Sequence, residues 1–203
     1  LFGNRLLLSA NYYNSRTTDM LYLYNVSVPP FTYNTLLANI GSMRNWGTEI
    51  AIGITPLKTK DMELNINANI TFQRNKLLSL SGMYNGEMLS ASEYKSLASL
   101  DGAGFHGGYN HIVYQMVGQP LGVFYLPHST GLESDGNGGY TYGIADLNGG
   151  GVSLEDGEDR YVAGQAVPKT ILGSNISFRY KRFDLSLQIN GAFGHKIYNG
   201  TSL

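Results

Sequence analysis

Residues 63–73 read Glu63-Leu64-Asn65-Ile66-Asn67-Ala68-Asn69-Ile70-Thr71-Phe72-Gln73. Leu64, Ile66, Ala68, Ile70 and Phe72 share one parity; Glu63, Asn65, Asn67, Asn69, Thr71 and Gln73 share the other. A strand sends successive side chains to opposite faces, so this order gives one apolar and one polar face, whereas a helix would scatter both kinds around its axis. The pattern recurs on either side. Thr48, Ile50, Ile52 and Ile54 alternate with Gly47, Glu49, Ala51 and Gly53. Leu172, Ile176, Phe178 and Tyr180 alternate with Gly173, Asn175, Ser177 and Arg179, and Phe183, Leu185, Leu187, Ile189 and Phe193 with Asp184, Ser186, Gln188, Asn190 and Ala192. A weaker run sets Leu6, Leu8, Ala10 and Tyr12 against Arg5, Leu7, Ser9 and Asn11. The expected strands lie near 5–13, 43–54, 63–73, 171–180 and 183–193, in an all-β antiparallel chain.

Two architectures fit two-faced strands. A soluble antiparallel sandwich turns its apolar face to a core, and a membrane barrel turns it to lipid around a wet, polar interior. Strand length separates them, since soluble strands average about 5–6 residues and barrel strands run about 9–11. These reach the longer figure. Asparagine is ordinarily depleted in strands, yet Asn65, Asn67 and Asn69 stand on one face, as a water-filled lumen tolerates. Connection lengths point the same way. Short polar turns follow Ile54 and Tyr180, while long segments, near 14–42 and 75–170, are read as outer loops; barrels alternate short turns at one end with long loops at the other. Trp46 and Tyr180 share the parity of the lipid-facing side chains at strand ends, where an aromatic girdle belongs. The expected lumen-facing set is Asn65, Asn67, Asn69, Thr71, Ser186, Gln188 and Asn190. Leu64, Ile66, Ile70, Phe72, Leu185, Leu187 and Ile189 are expected to face lipid.

Composition excludes several classes. Of 203 residues, 26 are glycine and 15 tyrosine, and only 14% are charged, against about 25% in an ordinary soluble domain. A net charge of −1 provides no basic field for nucleic acid. Without cysteine there is neither a disulfide framework nor a thiolate zinc site.

Six short pieces, in order, carry a resemblance: Tyr12-Tyr13 with Thr17-Thr18-Asp19-Met20-Leu21; Asn39-Ile40-Gly41 with Asn45-Trp46-Gly47-Thr48-Glu49; Gly118-Gln119-Pro120-Leu121-Gly122-Val123-Phe124-Tyr125 with Gly131-Leu132; Gly164, Pro168-Lys169 and Gly173-Ser174-Asn175; Phe178 through Ser186; and Gly194-His195-Lys196-Ile197-Tyr198-Asn199. Together they resemble the C-terminal barrel portion of the SusC/RagA-type TonB-dependent outer-membrane transporters. The resemblance implies active import of oligosaccharides or peptides across the outer membrane of a Gram-negative bacterium. It also implies coupling to TonB through other parts of a parent chain, a SusD-like surface lipoprotein over the outer mouth, and contact with outer-membrane lipid. On this reading residues 1–203 are a fragment of the barrel, with the plug domain absent; five or six strands do not close a barrel.

Catalytic patterns are poor, and no enzyme is expected. His106, His111, His128 and His195 form no His-Glu-x-x-His pattern, and the Gly102, Gly104, Gly107 spacing lacks the strand and helix that a phosphate-binding turn needs. No cofactor is expected beyond a degenerate calcium loop at Asp146, Asn148, Asp156 and Asp159. Alternating oxygens before a glycine turn suit calcium, but Gly150 stands at the third ligand position and Asp159 falls about two residues late. Tyr22, Tyr24, Phe31, Tyr33, Tyr109, Tyr140 and Tyr142 offer aromatic platforms for sugar, although packing between loops accounts for any one of them more simply. The competing functions are a soluble carbohydrate-binding β-module, whose apolar faces would form a core, and a glycan-processing enzyme working through paired loop carboxylates.

Overall fold

The computed structural model describes residues 3, 5–91, 94–99, 111–153 and 158–199. Its strands are β1 (Leu6–Asn25), β2 (Thr35–Lys58), β3 (Met62–Ser79), β4 (Ser81–Tyr84), β5 (Glu87–Ser90), β6 (Tyr94–Ser99), β7 (His111–Met116), β8 (Val123–Pro127), β9 (Ser129–Ser134), β10 (Tyr140–Ile144), β11 (Arg160–Gln165), β12 (Thr170–Tyr180) and β13 (Phe183–Phe193). No helix occurs among the described residues.

Five long strands form one antiparallel sheet in the order β1-β2-β3-β12-β13. At one end the strands turn tightly. Thr59 N–H donates to the Met62 carbonyl at 2.7 Å, and Lys181 N–H reaches the Asp61 carbonyl at 2.7 Å, tying the two short turns together. The register keeps parity across the sheet. Leu64 faces Phe178 and Ile66 faces Ile176; Asn67 faces Asn175, which faces Gln188. Every apolar series thus lies on one face of the sheet and every amide series on the other.

The apolar face has no cover. Leu8 is 63% exposed, Leu185 55% and Leu187 51%, and Ile50, Ile52, Phe72, Ile189 and Phe193 are likewise exposed. The sandwich alternative required this face to be a core. The buried side chains lie elsewhere: Tyr24, Ala38, Leu77, Leu80, Leu89, Ile112, Tyr114, Val123 and Phe124, all toward the end opposite the short turns or in the segments beyond it.

The expected outer loops need correction. Residues 14–42 are largely strand, because β1 and β2 run on past their apolar stretches and stay paired from Leu21↔Asn39 to Asn25↔Thr35. A register irregularity between Thr17 and Leu21, with Asp19 at φ 57°, interrupts the two-residue period there. Tyr24, Ala38 and Leu89 then close a small core with Tyr22, Phe31, Leu36, Ile40 and Tyr84, beneath the β4–β5 hairpin. Burial pushes the Tyr24 phenol above its ordinary pKa range. The described parts of residues 75–170 are also structured. Besides the β4–β5 hairpin, they carry the β9–β10 hairpin and a four-stranded sheet ordered β11-β8-β7-β6. That sheet buries Arg160, whose guanidinium donates to the Tyr114 hydroxyl at 2.9 Å. The turn after Ile54 is tighter than the sequence indicates, since β2 continues to Lys58 through an irregularity between Ile54 and Leu57.

Candidate functional site

The amide face is built from rungs that cross the sheet. Asn69 lies opposite Gly173, and Gly173 opposite Asn190. The next rung is Asn67, Asn175 and Gln188, and the one after is Asn65, Ser177 and Ser186. On the β2 side, Thr71 faces Glu49 and Asn67 faces Gly53. The structure therefore brings all seven expected lumen residues onto one surface. A shallow concavity there is lined by Asn67, Asn69, Gly173, Asn175, Gln188 and Asn190.

Glycine makes room for these amides. A Cβ at position 173 would stand 2.6 Å from Asn69 Oδ1, so Asn69 lies across its neighbour's backbone. Position 47 is tighter still, wedged against the Phe72 carbonyl oxygen and the ring of Tyr13, its cross-strand partner. An aromatic ring over a strand glycine supplies packing that the glycine itself cannot.

Toward the short turns the rungs become charged. Lys58, Glu63, Arg179 and Asp184 stand in register on four adjacent strands, alternating in sign. Arg179 Nη2 donates to Glu63 Oε2 at 3.0 Å, and Lys58 Nζ lies 3.7 Å from the same oxygen. Asn65 donates to Glu63 Oε1 at 3.1 Å and accepts from the Thr55 hydroxyl at 2.7 Å. Exposed pairs of this kind each contribute about 0–1 kcal/mol, so the row orders side chains more than it stabilises the sheet. Asn175, Ser177, Glu63, Arg179 and Asp184 belong to the surface but not to the expected set. The signal for them is the same alternation, carried one strand over or one residue further.

Chemically, the amide rungs, above the charged row, are an uncharged field of donors and acceptors. An amide offers two N–H donors and a carbonyl acceptor, which matches hydroxyl or peptide groups without holding a charge. Among the described residues, no group of three or more His, Cys, Asp or Glu is gathered as a metal set. His128 stacks edge-on to Tyr161 at 5.1 Å, and His106 lies outside the described residues, as do Tyr109, Asp156 and the Gly102, Gly104, Gly107 series.

In the described part of the Asp146–Asp159 loop the side-chain oxygens are taken up by the loop's own amides. Asp146 Oδ1 accepts from Gly149 N–H at 2.6 Å and its Oδ2 from Gly151 N–H at 3.0 Å; Asn148 Oδ1 accepts from Gly150 N–H at 2.7 Å. Asp159, buried, accepts from Leu147 N–H at 2.6 Å and Ser153 N–H at 2.7 Å. The Ser153 and Leu147 amides hold the Asp159 carboxyl below the usual carboxylate range. Of the aromatic platforms, Tyr24 is fully buried and offers no face to a sugar, whereas Tyr33, Tyr140 and Tyr142 are exposed.

The TonB dependent receptor-like, beta-barrel family matches residues 1–192. TonB-dependent receptor P26 of Formosa agariphila is 28% identical over 98% of this chain and 20% of its own length. TonB-dependent receptor SusC of Bacteroides thetaiotaomicron is 25% identical over 92% of the chain and 17% of its own length. Among solved structures, the RagAB peptide importer in its open-open state covers 96% of the chain with a TM-score of 0.67 at 18% identity; a second RagAB peptide transporter structure covers 95% with a TM-score of 0.60 at 20% identity. The chain spans about a fifth of the length of these relatives. An all-β, antiparallel wall with an uncovered apolar face, an amide face and elaborated outer segments is accounted for by that match: the chain belongs to the TonB-dependent receptor β-barrel family.

Proposed function

We propose that these strands form a sector of the wall of an outer-membrane active transporter. The amide face lines the lumen and the apolar face meets lipid. The short turns lie on the periplasmic side, and the hairpins and the four-stranded sheet on the extracellular side. The parent protein imports oligosaccharides or peptides, draws energy from TonB through its other parts, and works beneath a SusD-like lipoprotein. The observation that carries this reading is the uncovered apolar face of five adjacent strands, backed rung for rung by amides. Charge on such a face costs about 2–4 kcal/mol for Arg or Lys at the bilayer midplane, which accounts for the low charged fraction of these strands.

Aromatic placement supports it. Tyr12, Thr48, Phe72, Thr170 and Phe193 stand in one register row on the apolar face, and Tyr180 faces Phe183 at the other end. Aromatic side chains at both ends of an apolar face are what the girdles of a membrane barrel supply. Spin labels at single positions of the parent transporter in lipid vesicles test the reading. Labels at 64, 66, 70, 185 and 187 relax with oxygen, and labels at 65, 67, 69, 186 and 188 with a water-soluble nickel chelate. The reverse assignment, or water access on both faces, overturns it. A monomer that melts cooperatively without detergent supports the soluble carbohydrate-binding module instead.

A further inference from the structure

We propose that the apolar face carries, at its extracellular rim, a binding site for the phosphate groups of an anionic lipid in the outer leaflet, formed by Arg16, Arg44, Arg74 and Lys76. The inference rests on the proposed membrane orientation and adds a ligand to it.

These residues follow directly on the apolar stretches and keep their parity. Arg16 is paired with Arg44, and Arg44 with Lys76, so three cations stand in line across β1, β2 and β3. The row beneath is Asn14, Trp46 and Arg74. All four cations are exposed. Like charges directly opposite one another destabilise a strand pair. Among the described residues none of the four side chains has an acidic partner, and the side chains of Arg16 and Lys76 make no hydrogen bond or ion pair. The nearest acid along β1 is Asp19, which accepts from Thr18.

The two inner cations are already oriented. Arg44 Nε donates to Asn14 Oδ1 at 2.8 Å, and its guanidinium lies 5.2 Å from the centre of the Trp46 ring. Arg74 Nη1 donates to the carbonyls of Gln73 at 2.7 Å and Lys169 at 2.9 Å. Each therefore has one side anchored and keeps further N–H donors, and a guanidinium fork suits phosphate oxygens.

Depth fixes the kind of anion. The apolar series on β3 runs from Leu64 to Phe72. At about 3.3 Å per residue and a tilt of about 40°, it rises about 20–23 Å, close to the apolar band of about 25 Å that a barrel presents to lipid. The cations begin immediately above it, beside the aromatic row, at headgroup height. A soluble anion has no reason to be met on a surface continuous with lipid tails; a phosphorylated lipid presents phosphate and acyl chain together. At the opposite end of the same face the apolar series closes on Tyr180 and Phe183, and the cations there, Lys60, Lys181 and Arg182, lie in the turns rather than in line across adjacent strands, with Lys181 Nζ 5.4 Å from the centre of the Tyr180 ring. The in-line row of cations occurs at the other end.

The test uses the parent transporter, purified in detergent and freed of bound lipid, and native mass spectrometry with bisphosphorylated lipid A as probe. Wild type retains the lipid. The Arg16→Gln/Arg44→Gln/Lys76→Gln protein retains it about 100-fold less tightly, at about fivefold for each charge near a charged membrane surface. Arg16→Gln/Lys76→Gln, which breaks no described contact, loses about 20–30-fold on the same basis and serves if the triple variant folds poorly. Lys60→Gln/Lys181→Gln/Arg182→Gln, at the short turns, binds as wild type does. Dephosphorylated lipid A binds wild type no better than it binds the triple variant, and millimolar inorganic phosphate does not displace the lipid. Equal retention by wild type and triple variant, equal binding of the dephosphorylated lipid, or displacement by free phosphate overturns the proposal. Failure of the membrane orientation itself is read separately, from the spin labels at 64–70.

Discussion

Gly47→Ala tests whether the sheet is as tightly set as its register implies. In most strands an alanine improves on a glycine by about 0.5–1 kcal/mol, because glycine loses more backbone freedom on folding. Here the added methyl would meet the Phe72 carbonyl oxygen, and it would lie 2.6 Å from the Tyr13 hydroxyl and 2.7 Å from Tyr13 Cζ. Forcing a methyl into a filled site costs about 1–3 kcal/mol. With two obstacles met at once the steric term outweighs the entropic one, leaving a net loss of up to about 2.5 kcal/mol. The two obstacles separate experimentally. Tyr13 is a side chain and can swing away, whereas the Phe72 carbonyl belongs to a strand paired on both sides, to Thr48 and to Thr170. In a Tyr13→Ala background, then, Gly47→Ala still destabilises. The assay is the urea midpoint of the parent barrel in detergent, read from the folded band that migrates ahead of unheated, unfolded protein. A midpoint raised by Gly47→Ala in either background would refute the reasoning, since the entropic gain would then have prevailed and the close approach would not exist in the folded wall.

The Asp159 loop gives a pH signature. Its carboxyl is held below the usual range, so its contribution is present above the unfolded carboxylate pKa of about 3.9 and is lost as pH falls through the lower native value. Amide-exchange protection of Leu147 and Ser153 should stay level from about pH 7 to about pH 5 and fall only in strong acid, while Asp159→Asn, which keeps one acceptor oxygen, lowers it at neutral pH for at least one of the two amides; loss centred near pH 6 in the wild type contradicts this assignment. The same loop should give no heat with millimolar calcium in a calorimetric titration, because the Asp146, Asn148 and Asp159 oxygens already accept backbone N–H groups. A saturable one-to-one isotherm would show that calcium displaces those amides and would restore the loop as a metal site.

The wall was legible in the sequence because it obeys one rule without interruption: a two-residue period that survives pairing with two neighbours. Glu63 to Gln73 fixes β3, and the matching period of residues 170–180 and 183–193 fixes the strands beside it. The outer segments were not legible for two physical reasons. In β1 and β2 the pairing continues past an irregularity near Asp19, and Thr17-Thr18-Asp19 carries no apolar alternation to show it. In residues 75–170 the strands β4 to β11 are only 4–6 residues long, so each is too short for periodicity to separate it from loop. The amide surface was half legible. Parity named Asn65, Asn67 and Asn69, but only register shows that Gly173 gives Asn69 its space and that Asn175 joins Asn67 to Gln188. The basic row escaped notice for the opposite reason. Arg16, Arg44 and Lys76 are far apart in sequence, and pairing alone puts them in line.

Register also explains why short, weak-looking motifs sit where they do. β12 begins at Thr170, level with Phe72, but β3 continues to Ser79 and would otherwise present an unpaired edge there. The Gly118–Leu121 stretch takes over that edge. Leu77 N–H donates to the Gln119 carbonyl at 2.9 Å, Gly118 N–H to the Leu77 carbonyl at 2.8 Å, and Leu121 N–H to Asn75 Oδ1 at 2.7 Å. Pro168 and Lys169 bridge the step between the two partners: their carbonyls accept from Gln73 Nε2 and Gln73 N–H, each at 2.9 Å, while Lys169 N–H donates to the Phe193 carbonyl at 2.9 Å. Lys196 N–H then joins β13's far end to Gln165 of β11 at 2.8 Å. Three of the six motif pieces are therefore the points at which wall and outer sheet exchange backbone hydrogen bonds. An unpaired buried amide or carbonyl costs about 1–3 kcal/mol, so these handovers constrain sequence more tightly than the exposed hairpins between them. A load applied to the outer sheet is consequently passed into β3 and into the segment after β13 through these backbone hydrogen bonds.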